Sequence, residues 1–464
     1  MIWLAIVSVT NATELTAAID NATAGDEIVL ADGDYALAAN VTCDAVGTSA
    51  EPVVVRAASP LGAHLAFNAS EGFKVTGPHW HFEGLDITGA CGAGNDSTCE
   101  HAFHVSGAAE SFVLRHSRVR DFNAQLKVNA QLIGASYAIP HRGLIEYNEI
   151  GDTRARMTSN PVTKLNIDTG DDWIVRGNYI HDGQKSGGDN TSYASFMKSG
   201  GNRGLFERNL VICSRDTMGG ARIGLSFGGG GTGNAFCAPA FDPGVDCVVE
   251  HTGGTMRNNV IVNCSDVGIY LNESVDTHLL YNTLIATNGI DFRFATTTGE
   301  AVGNLMTSVA RQRDGGTMTT NGNVENVALS QFQQWYASPL TGDLSVLGDV
   351  SSLIGAGPMR ADVKNDYCGA LRPNGALTVG ALEHSVAVCD TTRPPVQTDP
   401  GTDGDGAPSG DAGPGGPGGE TGGDSGCCQA QRTPDGSALF LLFVLAYVVR
   451  PGRSRQLRSA RQRR

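Results

Sequence analysis

One phrase, repeated down the chain, limits the fold more than any other feature. It runs apolar residue, two variable residues, Asn, one variable residue, apolar residue. It reads Val175-Arg-Gly-Asn178-Tyr-Ile180, Phe206-Glu-Arg-Asn209-Leu-Val211 and Met256-Arg-Asn-Asn259-Val-Ile261. It returns as Leu279-Leu-Tyr-Asn282-Thr-Leu284 and Ala301-Val-Gly-Asn304-Leu-Met306, and earlier as Ile145-Glu-Tyr-Asn148-Glu-Ile150 and Leu114-Arg-His-Ser117-Arg-Val119. The Ser/Asn positions are spaced 31, 30, 31, 50, 23 and 22 residues apart. A fixed short period is the mark of a solenoid, in which each repeat buries its apolar face only against its neighbours.

A bare interval of 22 to 23 residues holds three short strands and three turns, one coil of a parallel β-helix. Longer intervals are the same coil with a loop inserted. Asn suits such a turn because it tolerates the left-handed conformation, and stacked Asn amides can hydrogen-bond from coil to coil. The strands Ala221–Phe227 and Gly268–Asn272 alternate with period two, which predicts Arg222 and Tyr270 pointing outward. A long 3.6-residue period occurs only from Thr13 to Ala22, where Leu15, Ala18 and Ile19 share a face. That segment predicts a helical cap over the open first coil, whose strand edges would otherwise be unpaired. A leucine-rich repeat has a similar period, but its Leu-x-x-Leu-x-Leu core is missing. The expected fold is all-β, a single-stranded right-handed parallel β-helix over residues 13–389.

Composition supports this reading. Gly, at 61 of 464 residues, is too abundant for a helical bundle, and 17% charge is too low for a coiled coil. The 33 basic and 48 acidic residues leave a net charge of −15, although seven Arg lie in the last fifteen residues. An acidic body argues against nucleic acid as a partner.

The ends read as addresses. Residues 1–12 are an apolar run closing on small residues, the pattern of a signal peptide; a buried first strand is the other reading. Residues 390–426 are a Gly/Pro/Asp-rich linker without apolar content, expected to be disordered. Residues 427–464 hold Cys427-Cys428, the apolar run Ala438–Val449 and the Arg cluster. Twelve apolar residues make a short membrane anchor with a strong positive-inside signal. The order of linker, Cys pair, apolar run and Arg cluster resembles the C-terminal sorting tails of myxobacterial surface proteins. That resemblance implies secretion and anchorage at the cell surface or outer membrane. Nine body Cys without a CxxC or Cys/His zinc pattern suit an oxidising compartment. The spacings suggest Cys91–Cys99, Cys237–Cys247, Cys213–Cys264 and Cys368–Cys389, with Cys43 left over.

Several charged residues fall on or near corresponding strands of successive coils: Lys127, Lys164, Lys198, Arg222, Asp291 and Arg293. A solvated face explains Lys127. Lys198 and Arg222 come one coil apart, so the two cations are expected within one sugar of each other, with an acidic polysaccharide as their partner. The Gly run after Arg222 lacks the Lys-Ser/Thr ending of a P-loop and reads as a rim or binding loop. His79, His81, His101, His104 and His116 fit no standard zinc spacing and read as surface turns. Asp171 and Asp172, or Asp168, offer a hydrolase alternative, although turn propensity also explains the pair.

Leu15 to Tyr35, with its Gly-Asp-Glu-Ile-Val-Leu-Ala-Asp-Gly-Asp-Tyr phrase, resembles the first coil of polysaccharide lyase family six, the group of chondroitinase B and alginate lyases. Ser195-Phe-Met-Lys198-Ser199 and Asp216-Thr-Met-Gly-Gly-Ala-Arg222-Ile-Gly224 resemble the stretches bearing that family's catalytic Lys and Arg. The resemblance implies β-elimination, with Lys198 as base and Arg222 serving the departing oxygen. It also implies calcium on the uronate carboxylate. Where the family has two carboxylates before the Lys, this chain has Thr191-Ser-Tyr-Ala-Ser195, and Ile223 replaces a His. Asn166, Asp168 and Asp189 are the nearby oxygen donors, whereas Lys164, His251, Arg293 and Tyr270 are candidates to bind the substrate. The expected function is uronate-specific lysis of an acidic polysaccharide. The alternatives are a non-catalytic glycan-binding or envelope protein, and a glycoside hydrolase.

Overall fold

The computed structural model describes residues 6–392, apart from residue 93, residue 230 and residues 387–389. The chain divides into two units, Met1–Asp405 and Gly406–Arg464. The second unit, with most of the linker and the whole anchor segment, lies outside the described residues. Cys389 does too, and with it the Cys368–Cys389 pairing.

The first unit is a parallel β-helix. Three long parallel sheets run its length, of twelve, ten and ten strands. The first sheet begins at Ile6–Val9 and ends at Thr319–Asn321, the second runs from Gly33–Leu37 to Leu305–Met306, and the third from Val41–Cys43 to Ala310–Arg313. Strands adjacent in a sheet come from successive coils, so each coil gives one strand to each face. One hydrophobic cluster, from Val9 to Met306, fills the interior. Phe67, Phe73, Phe82, Phe103 and Phe112 stack there with centroids 4.9–5.7 Å apart.

The repeated Asn is the rung that joins coils. Asn178 Oδ1 accepts from Asn148 N and Asn148 Nδ2, both at 3.0 Å, and Asn209 Oδ1 accepts in the same way from Asn178. The ladder continues through Asn259, Asn282 and Asn304 to a further rung at Asn323. Each central rung is fully buried, yet every amide is satisfied, as a buried polar group must be. The left-handed residue is not the Asn itself. It is the preceding residue, as at Tyr147 (φ 54°), Arg208 (φ 56°) and Tyr281 (φ 54°). The Asn is selected for its amide, not for its backbone freedom.

The cap forms as expected. Helix Ala12–Asp20 buries Leu15 and Ile19, and the Asn11 side chain caps it by accepting from Glu14 N at 3.0 Å. Part of the apolar run assigned to a signal has a structural use, because Ile6–Val9 pairs in parallel with Glu27–Leu30 as the outermost strand of the first sheet. Cysteines 91 and 99, 213 and 264, and 237 and 247 are bonded, and Cys43 is free and buried.

From Tyr179 onward the second sheet is covered on both faces. Its outward residues Tyr179, Leu210, Ile212, Val260, Val262 and Ile285 pack against Phe332, Trp335, Tyr336, Leu344 and Leu353 of the segment after the last coil. This segment starts with helix Leu329–Trp335 and returns along the solenoid. Strands such as Leu210-Val-Ile212 are therefore apolar at every position, as strands buried on both faces are. The third sheet keeps a face with polar and charged side chains.

Candidate active site

On the third sheet the outward side chains form columns across the coils. One column runs His104, Lys127, Asn166, Phe196, Ser226, Tyr270, Asp291. Two residues further along each strand, a second column includes Asp168 beside Lys198, and later Asn272 beside Arg293. Lys127, Asp168 and Lys198 come from three successive coils and meet. Lys127 Nζ bonds both Asp168 and Asn166 Oδ1, the latter at 3.1 Å, and Lys198 Nζ lies 3.4 Å from Asp168 Oδ1. Lys198 also sits 4.9 Å over the Phe196 ring. Burial raises the affinity of the Asp168 carboxyl for its proton, but the two ammonium groups outweigh it and hold the group below the ordinary carboxylate range. The side chains remain between 12% and 19% exposed, enough to be reached from solvent.

A wall stands where these strands end. The hairpin of Gln131–Ile133 and Ser136–Ala138 exposes Leu132, Ile133 and Tyr137, and Tyr137 stacks on Phe241 at 4.0 Å. Phe241 belongs to the loop closed by Cys237–Cys247. That loop is rooted beside Lys198, since Ala238 N donates to Ser199 O at 3.0 Å and Ser199 N donates to Glu250 Oε2 at 2.8 Å.

Lys198 and Arg222 are not neighbours. Arg222 stands opposite Ser192, and the position opposite Lys198 is Gly228. Six residues of strand separate them, about 20 Å at ~3.3 Å per residue. Arg222 is buried rather than outward-facing, and donates to Gly219 O, Gln184 Oε1, Thr217 Oγ1 and Cys213 O. Its guanidinium ties the turn before its own strand to the coil beneath.

Lys164 and His251 are also interior. Lys164 is fully buried and paired at 2.6 Å with the equally buried Asp152, and it donates to Phe122 O at 2.8 Å. Burial lowers the Lys164 pKa and raises that of Asp152. His251 stacks on Phe227 at 4.2 Å and accepts from Gly204 N at 3.3 Å, and burial lowers its pKa to about 3. Neither reaches a ligand on the surface. Arg293 and Tyr270 do face outward together, with Arg293 Nη1 donating to Tyr270 OH at 3.0 Å and Nε to Asp314 at 2.6 Å.

The calcium set does not assemble. Asp189 is exposed, pairs with Lys185, and lies beyond the start of strand Thr191–Lys198, at the far end from Lys198. The oxygens of Asn166 and Asp168 already receive the Lys127 ammonium. These residues do not fit a calcium cage of six or more oxygens. Asp171 and Asp172 bind Asn202 and Arg203 of the next coil, as turn residues do.

Residues 9–105 match the sequence model of the chondroitinase B family. No curated protein sequence matches the chain. Among solved structures, the crystal structure of pectate lyase Pel9A superposes with TM-score 0.55 at 13% identity, covering 82% of this chain and 97% of that one. A rhamnogalacturonan lyase gives TM-score 0.51 at 13% identity, covering 78% and 99%. At these identities the likeness is one of fold.

Proposed function

We propose that this protein is a polysaccharide lyase that cleaves a uronate-containing acidic polysaccharide by β-elimination on the outer face of the third sheet. The meeting of Lys127, Asp168 and Lys198 at the foot of the wall carries the reading. Two ammonium groups flank one carboxylate, so the cluster keeps a net positive charge in a half-enclosed place, where charge acts strongly. Lys198 gives up one proton to solvent as the sugar docks, and the neutral amine then takes the proton α to the uronate carboxylate and returns to the ammonium. The electron pair forms the ring double bond, and the glycosidic oxygen departs with its own bonding pair. The proton held on Lys198 is then available to that oxygen. Lys127 stabilises the carboxylate as charge develops on it, the role an ion would otherwise fill. Tyr270 lies two coils further and Arg293 three, roughly 10 and 14 Å at ~4.8 Å per strand, and the pair binds a neighbouring acidic sugar.

Each β-elimination leaves an unsaturated uronate that absorbs in the ultraviolet. Residues 6–392 incubated with alginate, chondroitin, dermatan or pectate should raise that absorbance with at least one of them. A flat trace with new reducing ends would instead mean hydrolysis. That Arg222 does not stand beside Lys198 favours a second reading, a glycan-binding module, and retained binding without any cleavage would establish it.

The disulfides Cys91–Cys99, Cys213–Cys264 and Cys237–Cys247 and the C-terminal apolar run with its Arg cluster support an extracytoplasmic protein held at the cell surface. Among the described residues no helix is long and apolar enough to cross a membrane, and the run at 438–449 lies outside them. Fractionation of cells carrying the full chain or one ending at residue 426 tests the anchor. Only the full chain should sediment with membranes.

A further inference from the structure

Two of the His residues that read as surface turns belong to a cluster that no sequence spacing announces. Glu71 and His101 are direct partners on neighbouring strands of the third sheet, and His104 follows three residues on. Glu71 Oε1 lies 2.6 Å from His104 Nδ1 and 3.8 Å from His101 Nδ1. One ligand atom from each residue falls within 4.8 Å of the other two.

The hydrogen bonds around His104 settle its tautomer. Asn129 Nδ2 donates to Ala130 O at 2.9 Å, which turns Asn129 Oδ1 towards His104 Nε2 at 2.7 Å. An amide oxygen only accepts, so Nε2 carries hydrogen. Nδ1 faces the Glu71 carboxylate, and a metal ion seated between the two would take a ligand atom from each. The second observation is independent. His101 Nδ1 is buried and has no hydrogen-bond partner, and such an orphan calls for an explanation.

We propose that Glu71, His101 and His104 bind a divalent transition metal of the zinc class, with an open fourth position facing solvent. Two imidazole nitrogens and one carboxylate suit that class and not calcium. Bonds of ~2.0–2.1 Å in a tetrahedron separate the ligand atoms by roughly 3.3 Å, and the observed 2.6 and 3.8 Å bracket that value. Asn129 acts as the outer partner that orients a metal-binding imidazole. The three side chains are 19–26% exposed, so an ion can enter. Lys127 stands across from His104, but its ammonium is drawn towards Asn166 and Asp168 on the next coil. The site heads the same strip as the lyase residues and does not depend on that activity.

The test is calorimetric titration of chelator-treated full-length protein with Zn²⁺, with Co²⁺ as a coloured probe of coordination. One equivalent should bind with micromolar affinity or better, and Co²⁺ should give the intense visible bands of a four-coordinate site. Glu71→Gln and His101→Ala should each weaken Zn²⁺ by at least about 100-fold, and Asn129→Ala by about 10- to 100-fold, the usual cost of losing an outer partner. Circular dichroism would identify any variant that fails to fold, and Asn129→Ala, which touches no metal, keeps the test open in that case. No saturable uptake by the wild-type protein overturns the proposal, and so does uptake that the folded variants leave unchanged.

Discussion

Lys164 and Lys198 lie on neighbouring strands of one sheet, yet they occupy opposite environments. The start of these strands is roofed: Lys164, Arg156 and Arg222 are all buried there, Lys164 paired with the buried Asp152 carboxylate, Arg156 donating to Asn123 Oδ1, and Arg222 donating to Gly219 O and Cys213 O. The end of the same strands is walled rather than roofed, and Lys127, Asp168 and Lys198 stay within reach of solvent. The difference is made by the loops between strands and not by the strands themselves. Cations at the roofed end hold the solenoid together, whereas those at the walled end are free to meet a ligand.

The strongest way to break this contrast is Lys198→Ala. Lyase turnover should fall about 10²- to 10⁴-fold, the usual worth of a positioned base, while the melting temperature stays nearly unchanged. Lyase activity that survives the change would remove Lys198 from the chemistry. Lys164→Ala should do the reverse. Stranding the buried Asp152 charge should cost about 3–5 kcal/mol in chemical denaturation, with activity per folded molecule kept. Arg222→Ala sharpens the point, because a sequence reading puts this residue in the chemistry. It should lower stability by about 2–3 kcal/mol for the stranded oxygens and leave the rate of folded enzyme within about twofold; a loss of several orders of magnitude would mean the loops rearrange to bring Arg222 to Lys198.

Acid provides a subtler probe of the interior. His251 is held neutral when folded, with its pKa lowered from 6.5 to about 3. Below pH 6.5 the unfolded chain takes up a proton that the folded chain refuses, so stability falls as pH drops towards 3. The slope from this residue is at most about 1.4 kcal/mol per pH unit. His251→Gln should flatten denaturation midpoints between pH 6 and 4, and an unchanged profile would deny the depressed pKa. The smallest effect belongs to Arg293→Ala, a half-buried residue on the outer face. It should raise KM a few-fold and reduce the dependence of KM on salt, with little change in kcat.

Much of the scaffold is legible in the sequence: the coil boundaries follow from the recurring rung, the cap helix from its 3.6-residue period, and the bonds Cys91–Cys99, Cys213–Cys264 and Cys237–Cys247 from the cysteine spacing. Asn323 is missed because the two apolar positions of the phrase hold Thr320 and Glu325 instead. The segment that covers the second sheet has no repeat to announce it. Its signal lies elsewhere, in triplets such as Val260-Ile-Val262 that are too apolar for a strand with a wet face. Site residues were harder to read for a physical reason. Lys198 and Arg222 look like a pair one coil apart, but Lys198 comes twenty residues after its rung and Arg222 thirteen after its own. Asp168 also comes twenty after Asn148, and it is Asp168 that touches Lys198. Counting from the rung finds that contact, whereas counting from one cation to the next does not. No count places Glu71 with His101 and His104, because register between coils joins them.

The Asn ladder also separates what must stay constant from what is free to vary. Intervals of 19, 22, 23, 30, 31 and 50 residues all close on rungs joined by the same hydrogen bonds. The spacing of coils is therefore measured at one corner, like pages held in a binding, and the outer margin is left to be written on. Long insertions such as the one carrying Cys237–Cys247 change the edges of the outer strip of the third sheet without moving its columns. New specificities can then arise by lengthening loops, while the distance between cations on successive coils stays the same.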